Sequence, residues 1–186
     1  MRRYGLSIDP GISNGACLFS WDEDEPFKQE ALYQFGGGAQ GLADFIESQD
    51  IVVNRTAGAW FNGATPLDRI VVEKFTPRNN SSFGLTQDSV EPLRGEGVLI
   101  GHGFGPFITW QSPAMQYFMG GIDLKEKKKR SREFLKLHGL YATGKTVGQK
   151  DADDAISAEL HAIAAMRKMR HMPTLIELFQ DEGDES

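Results

Sequence analysis

The chain has 186 residues, 40% of them hydrophobic, and a formal net charge of -6, which is enough apolar material for one buried core. It has no unbroken apolar run of the roughly 18 residues a membrane helix needs, and no apolar segment behind Arg2 and Arg3, so a cytoplasmic chain without membrane insertion is expected. Its one cysteine, Cys17, excludes an internal disulfide and a cysteine-based zinc site, and its apolar neighbours mark it as a small core residue.

In chain order, Tyr4 to Asp9 predicts a buried strand ending in an acid, which Pro10 and Gly11 then turn. Gly15 to Trp21 predicts the returning strand. Asp22 to Glu25 with Pro26 make a second, solvated turn, and Phe27 to Phe35 predicts a third strand, so the chain opens as an antiparallel series of three. Gly36 to Gly38 break the chain, after which Leu42, Phe45 and Ile46 recur at helical spacing within Gln40 to Gln49. Arg69 to Phe75 carries the β-branched run Ile70, Val71 and Val72 followed at once by Glu73, a second buried strand ending in an acid.

Thr76 to Gly84 is a polar loop. Gln87 to about Gly101 predicts a helix, weakened by Gly95 and Gly97 unless those glycines permit close packing on a sheet. Gly105 to Trp110 is a strand candidate, Pro113 to Met119 a short helix or turn, Leu124 to His138 a basic helix, and Asp151 to Arg170 the last strong helix. Strands in a hairpin series followed by strands alternating with helices describe an α/β chain whose mixed sheet is covered by helices. One domain over residues 1–180 is expected, ahead of an acidic tail at 181–186.

The negative net charge opposes contact with a polyanion, but its distribution does not. Acid is concentrated in Asp22 to Glu25 and in the tail, whereas Lys125, Lys127, Lys128, Lys129, Arg130, Arg132 and Lys136 stand against only Glu126 and Glu133 in one helix. That helix supplies a local positive field.

Asp9 and Glu73 end strands, and Asp151, Asp153 and Asp154 open a helix. On a helix, Asp151 and Asp154 share a face while Asp153 points away from both. Two acids on one helix face, completed by acids from two strand ends, suit magnesium or manganese, which prefer hard oxygen ligands and keep several waters. Each acid also has a plainer reading. Acids at a helix start complement its dipole, Glu73 fits a surface salt bridge, and Asp9-Pro10-Gly11 is an ordinary turn.

Together the stretches Gly5-Leu6-Ser7-Ile8-Asp9-Pro10-Gly11 with Gly15, Ile70-Val71-Val72-Glu73, Arg94-Gly95 and Asp151-Ala152-Asp153-Asp154-Ala155 resemble the RuvC-like branch of the RNase H superfamily. The match is particularly to its Holliday junction resolvases, phage-encoded ones included. The resemblance implies an RNase H-like mixed five-stranded sheet with helices on both faces. It also implies that Asp9, Glu73, Asp151 and Asp154 take the four metal-binding acidic positions, holding two magnesium ions for which manganese may substitute. The implied activity is endonucleolytic nicking of Holliday junctions and other branched DNA by a homodimer with one site per protomer. A less selective debranching nuclease, an RNase H, or a junction-binding protein without catalysis are the rival expectations. The related actin-like and sugar-kinase ATPases are much longer and need a second, duplicated domain.

The resemblance implies catalytic lysines as well. Gly121-Ile122 followed by Glu126-Lys127 makes Lys127 the candidate phosphate contact, against the reading of Lys127 as one of several solvated helix lysines. The family's other lysine position falls on Gln116, a departure that bears on substrate range. Phe75 and Phe83 are candidates for stacking on unpaired bases or for plain burial, and Arg78, Asn79 and Asn80 for backbone phosphate contacts, with Lys125 and Lys128 beside them. The four histidines lack ligand spacing with one another. His161, two turns beyond Asp154 on the same face, reads as a packing or surface residue.

Overall fold

A computed structural model describes residues 1–54, 56–75 and 87–180, at 87–89 the backbone alone. Arg78, Asn79, Asn80, Phe83 and the acidic tail lie outside the described residues. In chain order the elements are β1 (Arg3–Asp9), β2 (Asn14–Trp21), β3 (Lys28–Phe35), α1 (Gly38–Ser48), β4 (Val52–Asn54), β5 (Gly58–Phe61), β6 (Thr65–Leu67) and β7 (Arg69–Glu73). They continue with α2 (Gln87–Gly101), β8 (Ile108–Gln111), α3 (Leu124–Leu137), α4 (Gly144–Val147), α5 (Asp153–Lys168) and α6 (Met172–Phe179). Short 3-10 turns cover Gly105–Phe107 and Pro113–Tyr117.

Five strands form the main sheet in the order β3-β2-β1-β7-β8. The first three are antiparallel, β1 meeting β2 from Arg3 opposite Trp21 to Asp9 opposite Gly15. β7 lies parallel to β1, with Ile8 beside Val72, and β8 lies parallel to β7. The parallel pairings require crossovers, which α1 and then α2 supply.

Strand alternation divides the side chains between two cores. Leu6, Ile8, Ala16, Ile70 and Val72 face Leu42, Phe45 and Ile46 of α1 and Leu99 of α2. On the opposite face Cys17, Phe19 and Trp21 meet Ala158, Ala162, Ile163 and Met166 of α5, with Phe134 of α3 and Leu178 of α6 closing the cluster. The sheet is therefore mixed and covered on both faces, as the sequence predicts.

Several elements depart from the sequence reading. A second sheet, β4-β5-β6, occupies the stretch between α1 and β7. Its strands have three, four and three residues, too few for a period of two to register, and β6 contains Pro66. α4 and α6 were not anticipated either.

The consequential correction concerns α5, which begins at Asp153 rather than Asp151. Ala152 takes the N-cap position without a side-chain bond. Gln34 of β3 supplies the cap instead, its Oε1 accepting from the amides of Asp154 at 3.1 Å and Ala155 at 3.2 Å. Asp151 thus precedes the helix, and the expected helical pairing of Asp151 with Asp154 does not form.

Candidate metal centre

The pleat places a row of residues across the sheet on the face that α5 covers. Gln34 stands opposite Gly15, Gly15 opposite Asp9, and Glu73 beside Gln111. Asp9 and Glu73 are each one step beyond the Ile8–Val72 pair, so two neighbouring strands end in acids on one face. Over this row α5 presents Asp154, Ser157 and His161, which its periodicity gathers on a single stripe.

Gly15 sets the distance between row and helix. A Cβ there would run into the Asp154 carbonyl, so this position admits only a bare backbone. Gly95 on α2 plays the corresponding part behind Asp9, where a Cβ would come within 2.9 Å of Pro10. Buried Asn14 ties down the intervening turn, accepting from the Gly11 amide at 3.1 Å and donating to the Gly38 carbonyl at 2.9 Å.

The row and stripe enclose a cavity of about 180 Å³, lined among others by Asp9, Glu73, Asp154, Gln116, Lys128 and Arg132. Burial, then repulsion from Glu73 and, more weakly, Asp154, holds the Asp9 carboxyl well above the usual range, against a hydrogen bond from Ser157. Burial also raises Asp154, with Asp151 and Asp153 adding repulsion and a hydrogen bond from Ser13 opposing it. Among the described residues no Lys or Arg forms an ion pair with Asp9, Glu73 or Asp154.

The other predicted residues separate into those the structure brings to the cavity and those it does not. Asp151 is exposed, accepts from Gln34 Nε2 at 2.6 Å, and does not line the cavity. Asp153, set aside on spacing, does line it and pairs with Arg132 at 2.8 Å. The helix phase that excluded it was counted from Asp151, which lies outside the helix.

Lys127 is half-buried, its stem packed at Gly121, and the cavity is lined by Lys128 instead. Lys125 is exposed away from the cavity, and half-buried Phe75 donates its amide to Glu96 at 2.8 Å. Gln116 reaches the site directly, with Nε2 donating to Glu73 Oε2 at 3.2 Å and Oε1 accepting from Ser157 Oγ at 3.0 Å.

Three participants were not among the predicted site residues. Gln34 caps α5 and holds Asp151; Arg132 shares the cavity wall with Lys128. His161 is fully buried, and its Nε2 lies 2.7 Å from Glu73 Oε2. Its position on the Asp154 face was visible in the sequence, but the approach of Glu73 from a distant strand was not.

Among the described residues no three His, Cys, Asp or Glu side chains gather closely enough to cage a metal ion. The donor chemistry nevertheless fits a hydrated hard cation, since magnesium binds through one or two carboxylates and retains waters. Asp9, Glu73 and Asp154 offer carboxylate oxygens around one cavity, and the repulsion that raises Asp9 is what a cation would relieve.

Sheet order and helix placement are those of an RNase H-like α/β fold. No family model and no curated protein matches the sequence. Solved structures do. The yeast mitochondrial Holliday junction resolvase Ydc2 is 16% identical over 95% of this chain and 84% of its own, with a TM-score of 0.56. The fowlpox virus resolvase, solved with substrate Holliday junction DNA, is 16% identical over 90% and 99%, with a TM-score of 0.52. The Thermus thermophilus RuvC in complex with Holliday junction substrate is 13% identical over 90% and 96%, with a TM-score of 0.48. At such identities the likeness is one of fold, and the chain shares the fold of the yeast mitochondrial and fowlpox virus resolvases.

Proposed function

We propose that this chain is a metal-dependent endonuclease that nicks branched DNA, four-way junctions foremost, as a homodimer with one site per protomer working in the cytoplasm. One observation carries the reading. Asp9 and Glu73, at the ends of adjacent parallel strands, and Asp154 on α5 line one cavity that also takes Lys128 and Arg132 from the most basic helix in the chain. The solved neighbours named above as Holliday junction resolvases support the choice of DNA.

Asp9, Glu73 and Asp154 would hold the cation, with Asp151 next to Asp154 able to join from the cavity's edge; two magnesium ions, replaceable by manganese, are the proposed complement. A divalent cation bound there supplies activation of water and charge stabilisation at the leaving oxygen of a phosphodiester. Lys128 and Arg132 place positive charge on the incoming phosphates, Lys128 as a point charge and Arg132 through its planar fork. Ser157, whose hydroxyl faces both Asp9 and Gln116, has one proton to give and can orient only one of them at a time. Lys125, Lys127 and Phe75 extend the proposed DNA track away from the cavity.

The test uses labelled four-way junction, fork, linear duplex and RNA–DNA hybrid, each with magnesium and with chelator. Paired, symmetric nicks near the branch point are expected with magnesium alone, and Asp9→Asn should stop cutting while junction binding in chelator persists. Cleavage that continues in chelator would defeat the metal mechanism. Scattered nicks on every branched substrate would replace the resolvase by a debranching enzyme, and preference for the hybrid by an RNase H.

A further inference from the structure

We infer that His161 is the positioning residue of Glu73, donating an Nε2–H to Oε2 and so leaving Oε1 as the oxygen offered to a cation. The inference rests on the metal-dependent reading above and adds a residue that neither the acids nor the basic helix required. His161 and Gln111 are both buried, at 0% and 3% exposure, so their polar atoms must find partners inside the protein.

Nδ1 of His161 lies 2.8 Å from Gln111 Oε1, and Nε2 lies 2.7 Å from Glu73 Oε2. A metal-binding carboxylate carries no proton of its own, so the imidazole is the donor toward Glu73 Oε2, beside the amide of Gln116. On the other side, Gln111 Nε2 is buried without a partner among the described residues. A half turn of the Gln111 amide brings that NH2 group onto Nδ1 and selects the neutral tautomer protonated at Nε2. The proton at Nε2 then faces Glu73.

Two donors therefore fix one oxygen of the carboxylate, and Oε1 makes no hydrogen bond among the described residues. Gln111 follows Glu73 in register on the neighbouring strand, so the relay Gln111–His161–Glu73 is anchored at both ends by the sheet. A metal ligand oriented in this manner by a buried partner is a recurrent source of affinity.

Two substitutions of similar polarity separate positioning from packing. Asparagine places its amide near the Nδ1 site and keeps a partner for Gln111, whereas glutamine reaches the Nε2 site and keeps a donor for Glu73. In calorimetric titration of the DNA-free protein with Mn²⁺, His161→Asn is expected to bind about ten-fold or more weakly, and His161→Gln within about three-fold of wild type. Junction binding in chelator should not change in either. Equal Mn²⁺ affinities in the two variants, or affinities that merely follow their melting temperatures, would overturn the inference.

A second readout is independent of metal. In ¹⁵N-labelled protein in chelator, a slowly exchanging imidazole N–H resonance is expected, and it should move in Glu73→Gln; a resonance indifferent to that change would also overturn the inference. If wild type binds no Mn²⁺, the nuclease reading fails while the resonance still decides the hydrogen bond. If wild type binds and His161→Asn binds equally well, the nuclease reading stands and the positioning role falls.

Discussion

Glu159 sits on α5 with no exposed surface, and neither carboxylate oxygen has a partner among the described residues. Burial pushes its pKa from 4.5 up to about 8. Between those values the folded protein keeps a proton that the unfolded chain has released, so stability falls as pH rises through the window. At pH 7 the penalty relative to an ionised unfolded chain is on the order of 3 kcal/mol. Glu159→Gln should therefore raise the melting temperature at neutral pH, with the gain vanishing below about pH 4.5, where the unfolded glutamate is protonated too. A gain that is constant across this range in thermal scans would contradict a buried neutral acid. Nearby Cys17, its thiol pushed up first by burial and then by Glu159, should be inert to alkylation while the protein is folded.

The same sign applies to Asp9 and Asp154, both raised, where burial and like charge make ionisation costly at neutral pH. Without metal, Asp9→Asn is expected to melt higher than wild type. Magnesium should stabilise wild type by mass action and leave the variant nearly unmoved. Because protons compete for the same oxygens, the magnesium-induced shift should shrink as pH falls. A shift that is independent of pH, or retained in Asp9→Asn, would remove Asp9 from the proposed ligand set.

At the scale of elements, the decisive event is the docking of α5 on the sheet. Gly15 lets the helix start lie directly on β2, and Gln34 caps it from β3 while also holding Asp151. Gly15→Ala is expected to cost about 1–3 kcal/mol in urea unfolding, because backbone rather than a flexible side chain must move. It should also reduce cleavage, since Asp154 moves with that backbone. Gln34→Ala should cost about 1 kcal/mol as a lost cap. Unchanged stability in both variants would mean that α5 is positioned by its apolar face alone. This docking also marks where the sequence stopped being legible. The strands that carry Asp9 and Glu73 were visible because apolar alternation and turn residues are local signals. The first residue of α5 was not, because its cap comes from a strand 120 residues away.

For the molecule as a whole, a net charge of -6 coexists with a basic α3 that contributes Lys128 and Arg132 to the cavity. Arg132 is paired with Asp153 in the DNA-free chain, so part of its charge is already answered. Lys128→Ala and Arg132→Ala should each weaken junction binding across sequences and lower the slope of log K against log salt by about 1. The measurement is a salt titration in chelator, where cutting does not intervene. An unchanged slope for both would move the DNA track off α3. Lys127→Ala, on the same proposed track, should make the slope shallower as well.

By itself the sequence determined the α/β class, the two strands that end in acids, the basic helix and the buried place of Cys17. Each of these is a local pattern of apolar spacing, turn chemistry or charge, readable within a dozen residues. Only the tertiary structure decided which carboxylates meet. It withdrew Asp151 to the edge, brought Asp153 and Arg132 to the wall, and set His161 against a glutamate 88 residues distant. Those relations depend on the register of one helix over a five-stranded sheet, and that register is fixed by bare backbone at Gly15 and a borrowed cap at Gln34 rather than by any periodicity within the helix itself.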